Sequence, residues 1–306
     1  MSPVSTLHGR GPEGGHLLGF LCTLGTLAVL DRSAPWVRPR LHWSEAGVWR
    51  PVWTLDGAID EEGLIDLLHQ ALREGSTGPE FTDLGPSLSK LDVDRFRAFA
   101  AKAAETSTPA RRRWADFAAA YGVAVGDRFH ETPLHMHNLG QLRFFKDVLE
   151  LVQGTGRDHL RKALFEPWRY DDPQPTMRWD PVDDRRYAYR ADNPSDSKIA
   201  PIRTVRGANL LAIEALPSLP VVPQSRSSPA IGFRKQGSEW VVRWPIWTTP
   251  ITLRVIESLL RHPDVAAAPE SHQRLRRLGV AEVFQARRVE PRYRSFTLAE
   301  ALLGSS

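Results

Sequence analysis

Cysteine is almost absent from this chain of 306 residues. Cys22 stands alone, which excludes any intramolecular disulfide and any cysteine-rich zinc site. Lysine is scarce too, at six of the 40 basic residues. Positive charge therefore rests on guanidinium groups, which fork onto phosphate and stack on aromatic rings. No apolar run is long enough to span a membrane. The nearest, His16 to Leu30, lacks the basic flank and small-residue cleavage site of a signal peptide, and reads as a buried helix. A Walker pattern is missing, and HExxH fails because its second histidine would fall at Leu134. These absences exclude a disulfide scaffold and a Walker-type nucleotide hydrolase, and they point to a cytoplasmic protein with no membrane partner and no cofactor.

What is present is an ordinary globular composition, 42% hydrophobic and 25% charged, with a formal charge of +4 and pI ≈ 9.4. The basic balance favours a polyanionic partner. Between Arg226 and Arg294 thirteen Arg or Lys face six acids, so much of the excess lies in the C-terminal third.

Residues 1–15, rich in Gly, Pro and Ser, read as a disordered lead-in. Residues 16–163 read as a mainly helical part containing a β-hairpin, with strands at Arg40–Trp43 and Val48–Trp53 and helices after Asp60, over 92–105, 110–121, beyond Asn138 and over 158–165. Residues 164–306 read as a basic α+β part, continuous with the first or separate from it. It holds a helix over 207–216, strands over 230–234 and 239–247, an amphipathic helix over 251–260, a basic helix over 270–279, a strand over 281–289 and a last short helix. Pro245 places the end of the second strand at an edge or bulge. The fold class is α+β, with antiparallel hairpins near both ends, intervening and flanking helices, and a long irregular connection at 164–223. Strands do not alternate regularly with helices, which speaks against a doubly wound parallel sheet.

That connection carries the chemistry. Trp168, Trp179 and Tyr187 are interleaved with Arg178, Arg185, Arg186, Arg190, Arg203 and Arg206, a mixture suited to stacking on bases and pairing with phosphates. The same mixture suits a protein interface. Three lesser clusters have plainer readings. Arg111 to Arg113 at a helix start would welcome a bound anion or form a solvated charge run. His130, Glu131, His135 and His137 could hold a metal if a strand set His135 and His137 on one face; ordinary polar or interface histidines explain them more simply. Asp171, Asp172, Asp180, Asp183 and Asp184 suggest cation-dependent phosphodiester cleavage, yet the neighbouring arginines make internal ion pairs the simpler account.

The blocks LFEPWRYDD, MRWDPVDDRRYAYRADNPS, TVRGANLLAIEALPSLPVVP and RWPIW, with HLLGFLCTLGTLAVLD, RLHW and WRPVW before them, resemble a CRISPR-associated protein of type I-G systems (formerly I-U), in the large-subunit-like or helicase-nuclease-extension families. The resemblance runs from about residue 16 to 297. It implies a non-enzymatic subunit or accessory protein of a crRNA-guided interference complex in antiviral defence. The implied partners are other effector subunits and crRNA or target DNA, with no catalytic residue and no metal. The alternatives are a protein-interaction module without nucleic-acid binding of its own and, more remotely, a metal-dependent nuclease.

Overall fold

A computed structural model of the chain describes residues 3–74, 78–89, 91–108, 112–136, 143–173, 175–181, 203–267, 272–289 and 295–303. The protein is α+β, its strands antiparallel and distributed over several small sheets.

Helix α1 (Leu17–Ser33) is the axis. Every residue from Leu17 to Leu30 is buried, as expected of a helix apolar on all sides. The two threonines of that buried stretch need no water, because the hydroxyls of Thr23 and Thr26 donate back to the carbonyls of Gly19 and Cys22, each at 2.9 Å. Its main cover is a second wholly buried helix, α8 (Arg206–Glu214). The two approach so closely that a Cβ at Gly25 would lie 1.7 Å from the Leu211 carbonyl oxygen. Gly207 lets α8 close in the same way on α7 (Arg157–Phe165), where a Cβ would meet the His159 carbonyl at 2.3 Å.

Two sheets flank α1. In the first, β1 (Val4–His8), β3 (Trp49–Asp56) and β2 (Arg40–Glu45) are ordered β1-β3-β2. The stretch read from composition as a disordered lead-in is therefore an ordered strand, with Val4 opposite Asp56 and His8 opposite Val52. The glycines behind that reading serve close packing instead: a Cβ at Gly9 would strike Pro51 and Trp53, and one at Gly14 would strike Ile246 and Trp49. The second sheet is ordered β11-β10-β9-β8, with β12 also on β10. Its strands are β8 (Phe233–Gln236), β9 (Glu239–Trp247), β10 (Val280–Val289), β11 (Ser295–Phe296) and β12 (Glu300–Ala301). β12 stands where a last helix was expected. β8 reaches only as far as Val242, so Pro245 is paired on one side alone, with Val283 of β10, and its missing N–H leaves no gap in the ladder.

The sheets meet at Phe20, whose ring lies 6.2 Å from Trp43, 5.9 Å from Trp244 and 6.4 Å from Trp247. Trp244 and Trp247 donate their indole N–H to the carbonyls of Gly14 and Leu41. One hydrophobic core thus runs through both halves of the chain without a break at residues 163 and 164.

The remaining helices lie around this centre: α2 (Glu61–Glu74), α3 (Glu80–Asp83), α4 (Val93–Glu105), α5 (Arg113–Tyr121), α6 (Phe144–Gly154), α9 (Leu253–Leu260), α10 (Pro263–Ala266) and α11 (His272–Arg277). Two short ribbons complete the fold, β4 (Gly122–Val125) with β5 (Arg128–Glu131), and β6 (Asp172–Pro173) with β7 (Arg203–Thr204).

Candidate nucleic-acid interface

The last turn of α7 leaves carbonyls without helical partners, and the chain just beyond it and a distant segment satisfy them. The Trp168 indole donates to Ala163 at 2.8 Å. The backbone N–H groups of Arg10 and Gly11 both donate to Leu164, at 2.9 and 3.2 Å, and the Arg10 guanidinium donates to Phe165. Residues 9–16 and 166–172 are held side by side as a result. Gly11 permits this, since a Cβ there would lie 2.3 Å from the Ala163 carbonyl and 2.6 Å from Trp168 Nε1.

A cleft opens where these segments meet, formed by two hollows sharing Pro167, Trp168 and Tyr170. The larger, of ≈ 250 Å³, is also lined by Gly11, Glu13, His16 and Arg50. The smaller, of ≈ 70 Å³, runs past Lys162, Arg169, Asp171 and Asp172 to Thr204. Trp168 and Tyr170 stand edge to face at 6.3 Å. Tyr170 has φ +56°, an uncommon left-handed conformation for a bulky residue. Its hydroxyl donates to the buried Asp180 carboxylate at 2.8 Å. Glu13 is gripped by Arg50: Nη2 donates to Oε1 at 3.0 Å, while Nη1 donates to the carbonyls of Gly11 and Pro12 at 3.0 and 3.1 Å. At the rim Arg203 is exposed and donates to the Asp171 carbonyl at 2.9 Å. Asp172 accepts from the Arg206 backbone N–H at 2.8 Å and so caps α8.

The residues singled out in the sequence divide sharply. Trp168 and Arg203 are at the cleft. Trp179 is fully buried and gives its indole N–H to the Leu134 carbonyl at 2.8 Å, so it offers no stacking face. Arg178 and Arg206 are also buried, and Arg206 reaches the Glu150 carbonyl. Burial withdraws these three from any strand passing over the surface. Arg185, Arg186, Tyr187 and Arg190 lie outside the described residues, as do Asp183, Asp184, His137 and Arg111.

The lesser clusters turn inward. β5 ends at Glu131, so no strand aligns His135 with a neighbour. His135 Nδ1 lies 3.0 Å from Glu131 Oε2, which also accepts from Ser89, and His130 pairs with Ser228 at 2.8 Å. Among the described residues no three His, Cys, Asp or Glu side chains are placed to hold a metal ion. Arg113 is half-buried, with Trp114 and Phe117 rings 4.5 and 4.4 Å from its guanidinium. It needs no outside anion, because Glu214 meets it at 2.8 Å and Glu80 at 3.8 Å. Arg32 meets Glu214 from the other side at 2.9 Å. Burial alone would raise the Glu214 carboxyl, but Arg113 and Arg32 override it and hold it near 2. Glu80, with weaker help from Arg113, is pushed by burial up to about 7.

Sequence reasoning missed Glu13, His16 and Arg50. A signal was there, since Gly9, Gly11 and Gly14 have the spacing G-x-G-x-x-G between a strand and a helix. That spacing can mark a phosphate cradle when its N–H groups are open. Here they are occupied: Gly9 donates to Pro51, Arg10 and Gly11 to Leu164, and Gly14 to Trp49. The preceding strand is antiparallel to its neighbour, so this is no dinucleotide fold. Among the described residues no helix is long and apolar enough to cross a membrane. Comparison with protein-family models, with curated proteins and with solved structures returned no match.

Proposed function

We propose that this chain is a non-enzymatic subunit or accessory protein of a crRNA-guided CRISPR interference complex, and that it grips a single nucleic-acid strand at the Trp168 cleft. The supporting observation is the cleft itself. A half-buried indole and phenol stand edge to face beside exposed Lys162 and Arg169, and exposed Arg203 is held to the Asp171 carbonyl at the margin. Aromatic edges with cations at the rim suit bases and backbone together. The resemblance of the surrounding sequence blocks to type I-G proteins supplies the biological setting, with crRNA or target DNA and neighbouring subunits as partners.

The geometry limits the electrostatics. Three rim cations as phosphate contacts predict a slope of log affinity on log salt of about −2 for single strands, at roughly −0.7 per contact. Fluorescence anisotropy of labelled single-stranded RNA and DNA across a salt series measures it. Arg169→Ala with Arg203→Ala should flatten the slope by about 1.4. Failure to bind at about 100 μM in low salt, where even non-specific contacts register, would remove the reading.

A second reading, an adaptor that docks on protein alone, draws on a different feature. An open apolar groove of ≈ 370 Å³ lies between α4 and α5, lined by Phe96, Ala100, Ala104, Ala115, Ala118 and Ala119. Small side chains of this kind let a partner backbone approach closely. On this reading binding to another subunit survives high salt and nuclease treatment, and Ala104→Glu abolishes it.

A further inference from the structure

The larger hollow of the cleft has a chemical polarity that the nucleic-acid reading leaves unexplained. Apart from the His16 ring, which also lines it, most of its side-chain donors are committed elsewhere. The Trp168 N–H is on the Ala163 carbonyl, the Tyr170 hydroxyl is on Asp180, and both terminal nitrogens of Arg50 are on the glycine loop and Glu13. The arginine therefore serves to hold a carboxylate in place. Three of its five N–H groups are taken up in this way. Glu13 is about one-third exposed; Oε1 takes one hydrogen bond from Arg50, and His16 Nε2 is 3.9 Å from Oε2, beyond hydrogen-bond reach. Two aromatic side chains and a fixed carboxylate with lone pairs to spare thus line one hollow. A phosphate entering here would meet like charge.

A flat ligand with two adjacent N–H donors fits that arrangement. Of the four common bases only guanine presents such an edge, through N1–H and the 2-amino group. Adenine and cytosine set one amino donor beside a ring acceptor, which would face the second carboxylate oxygen, and uracil sets its single N–H between two carbonyls. These edges are open only in an unpaired base, read by stacking and by its Watson–Crick side. We infer that Glu13, held by Arg50 and lining one hollow with Trp168 and Tyr170, makes the larger hollow a pocket for one unpaired guanine of a bound strand. The inference rests on the single-strand reading of the cleft and adds a base preference to it.

The test uses the full chain and four labelled 12-nucleotide strands: oligouridine, and the same strand carrying one central guanosine, inosine or adenosine, in RNA and deoxy forms. One guanosine should tighten binding about tenfold, the discrimination of a good bidentate base contact. Inosine lacks the 2-amino group and should recover only part of that gain, and adenosine little of it. Glu13→Gln should erase the guanosine gain. The ligand series needs no variant, so a poorly folding Glu13→Gln protein would not spare the inference. Equal gains from guanosine and adenosine would overturn it and leave a pocket that only stacks. Oligouridine binding with the expected salt slope but no guanosine gain would refute the guanine pocket and leave the strand-binding proposal standing. No binding to any strand would remove both.

Discussion

Gly25→Ala sets two magnitudes against each other at the centre of the fold. Local propensity favours the change, because alanine in a helix interior is better than glycine by about 1 kcal/mol. Packing opposes it: the new Cβ would fall 1.7 Å from the Leu211 carbonyl oxygen and 2.7 Å from its carbonyl carbon. These are backbone atoms of a buried helix, so no side chain can swing aside. α1 and α8 must part by more than about 1 Å along a seam where both are sealed from water. Overpacking of this kind costs about 1–3 kcal/mol and occasionally more, and opening the seam forfeits dispersion contacts on both sides. With backbone against backbone the cost sits at the upper end of that range, and the net expectation is a loss of roughly 2 kcal/mol after the propensity gain is subtracted. In a chain of this size that lowers Tm by about 3 °C. Thermal and urea unfolding followed by circular dichroism would measure it. Gly63→Ala in α2 is the matched control, since the nearest atoms there are side-chain atoms at 3.2 and 3.4 Å, and that variant should be near neutral. A Gly25→Ala protein as stable as its parent would refute the apposition of α1 on α8.

Three further predictions concern the interior. Glu80 has a folded pKa raised to about 7, so its favourable contribution is present below the unfolded value near 4.5 and is lost as pH rises through 7. Relative to the parent, Glu80→Gln should therefore gain about 3 kcal/mol between pH 4.5 and 8, and a pH-independent difference in urea midpoints would contradict it. Glu214 is the opposite case: its depressed pKa contributes stability above about 4.5 that disappears as pH falls toward 2. Glu214→Gln strands Arg113 and Arg32 and should cost about 3–5 kcal/mol at pH 7, with a smaller penalty at pH 3. Trp179→Phe leaves the Leu134 carbonyl without its partner, at about 1–3 kcal/mol, and should leave oligonucleotide affinity unchanged; weakened binding by folded protein would return Trp179 to the interface.

The legible parts of this fold were those with a local signature. α1 was readable because an unbroken apolar run with no charged face can only be interior. β2 with β3, and β8 with β9, were readable because alternating strands flank Gly47 and Gly237, both at positive φ. What stayed hidden depended on distant partners. Composition cannot distinguish a glycine used for flexibility from one used for contact, and Gly9, Gly11 and Gly14 are of the second kind. An arginine likewise looks the same in sequence whether it meets solvent, as Arg203 does, or a buried carboxylate, as Arg113 does. The cleft joins residues 9–16 to 166–172 through the end of α7, a juxtaposition that no sequence period encodes.

The cover of α1 also has a history in time. Its close neighbour α8 follows it by about 180 residues, and the Trp244 that meets Phe20 follows later still. At a synthesis rate of roughly 5–20 residues per second, the most apolar of the described helices waits on the order of 10–40 s for α8 and β9 to be made. Through that interval the nascent protein carries an adhesive rod covered only on the side of β2 and α2. Yield in the cell is thus governed by chaperone capture and translation speed as well as by the final free energy, and slowing translation between residues 34 and 205 should increase the aggregated fraction without altering the stability of the molecules that succeed.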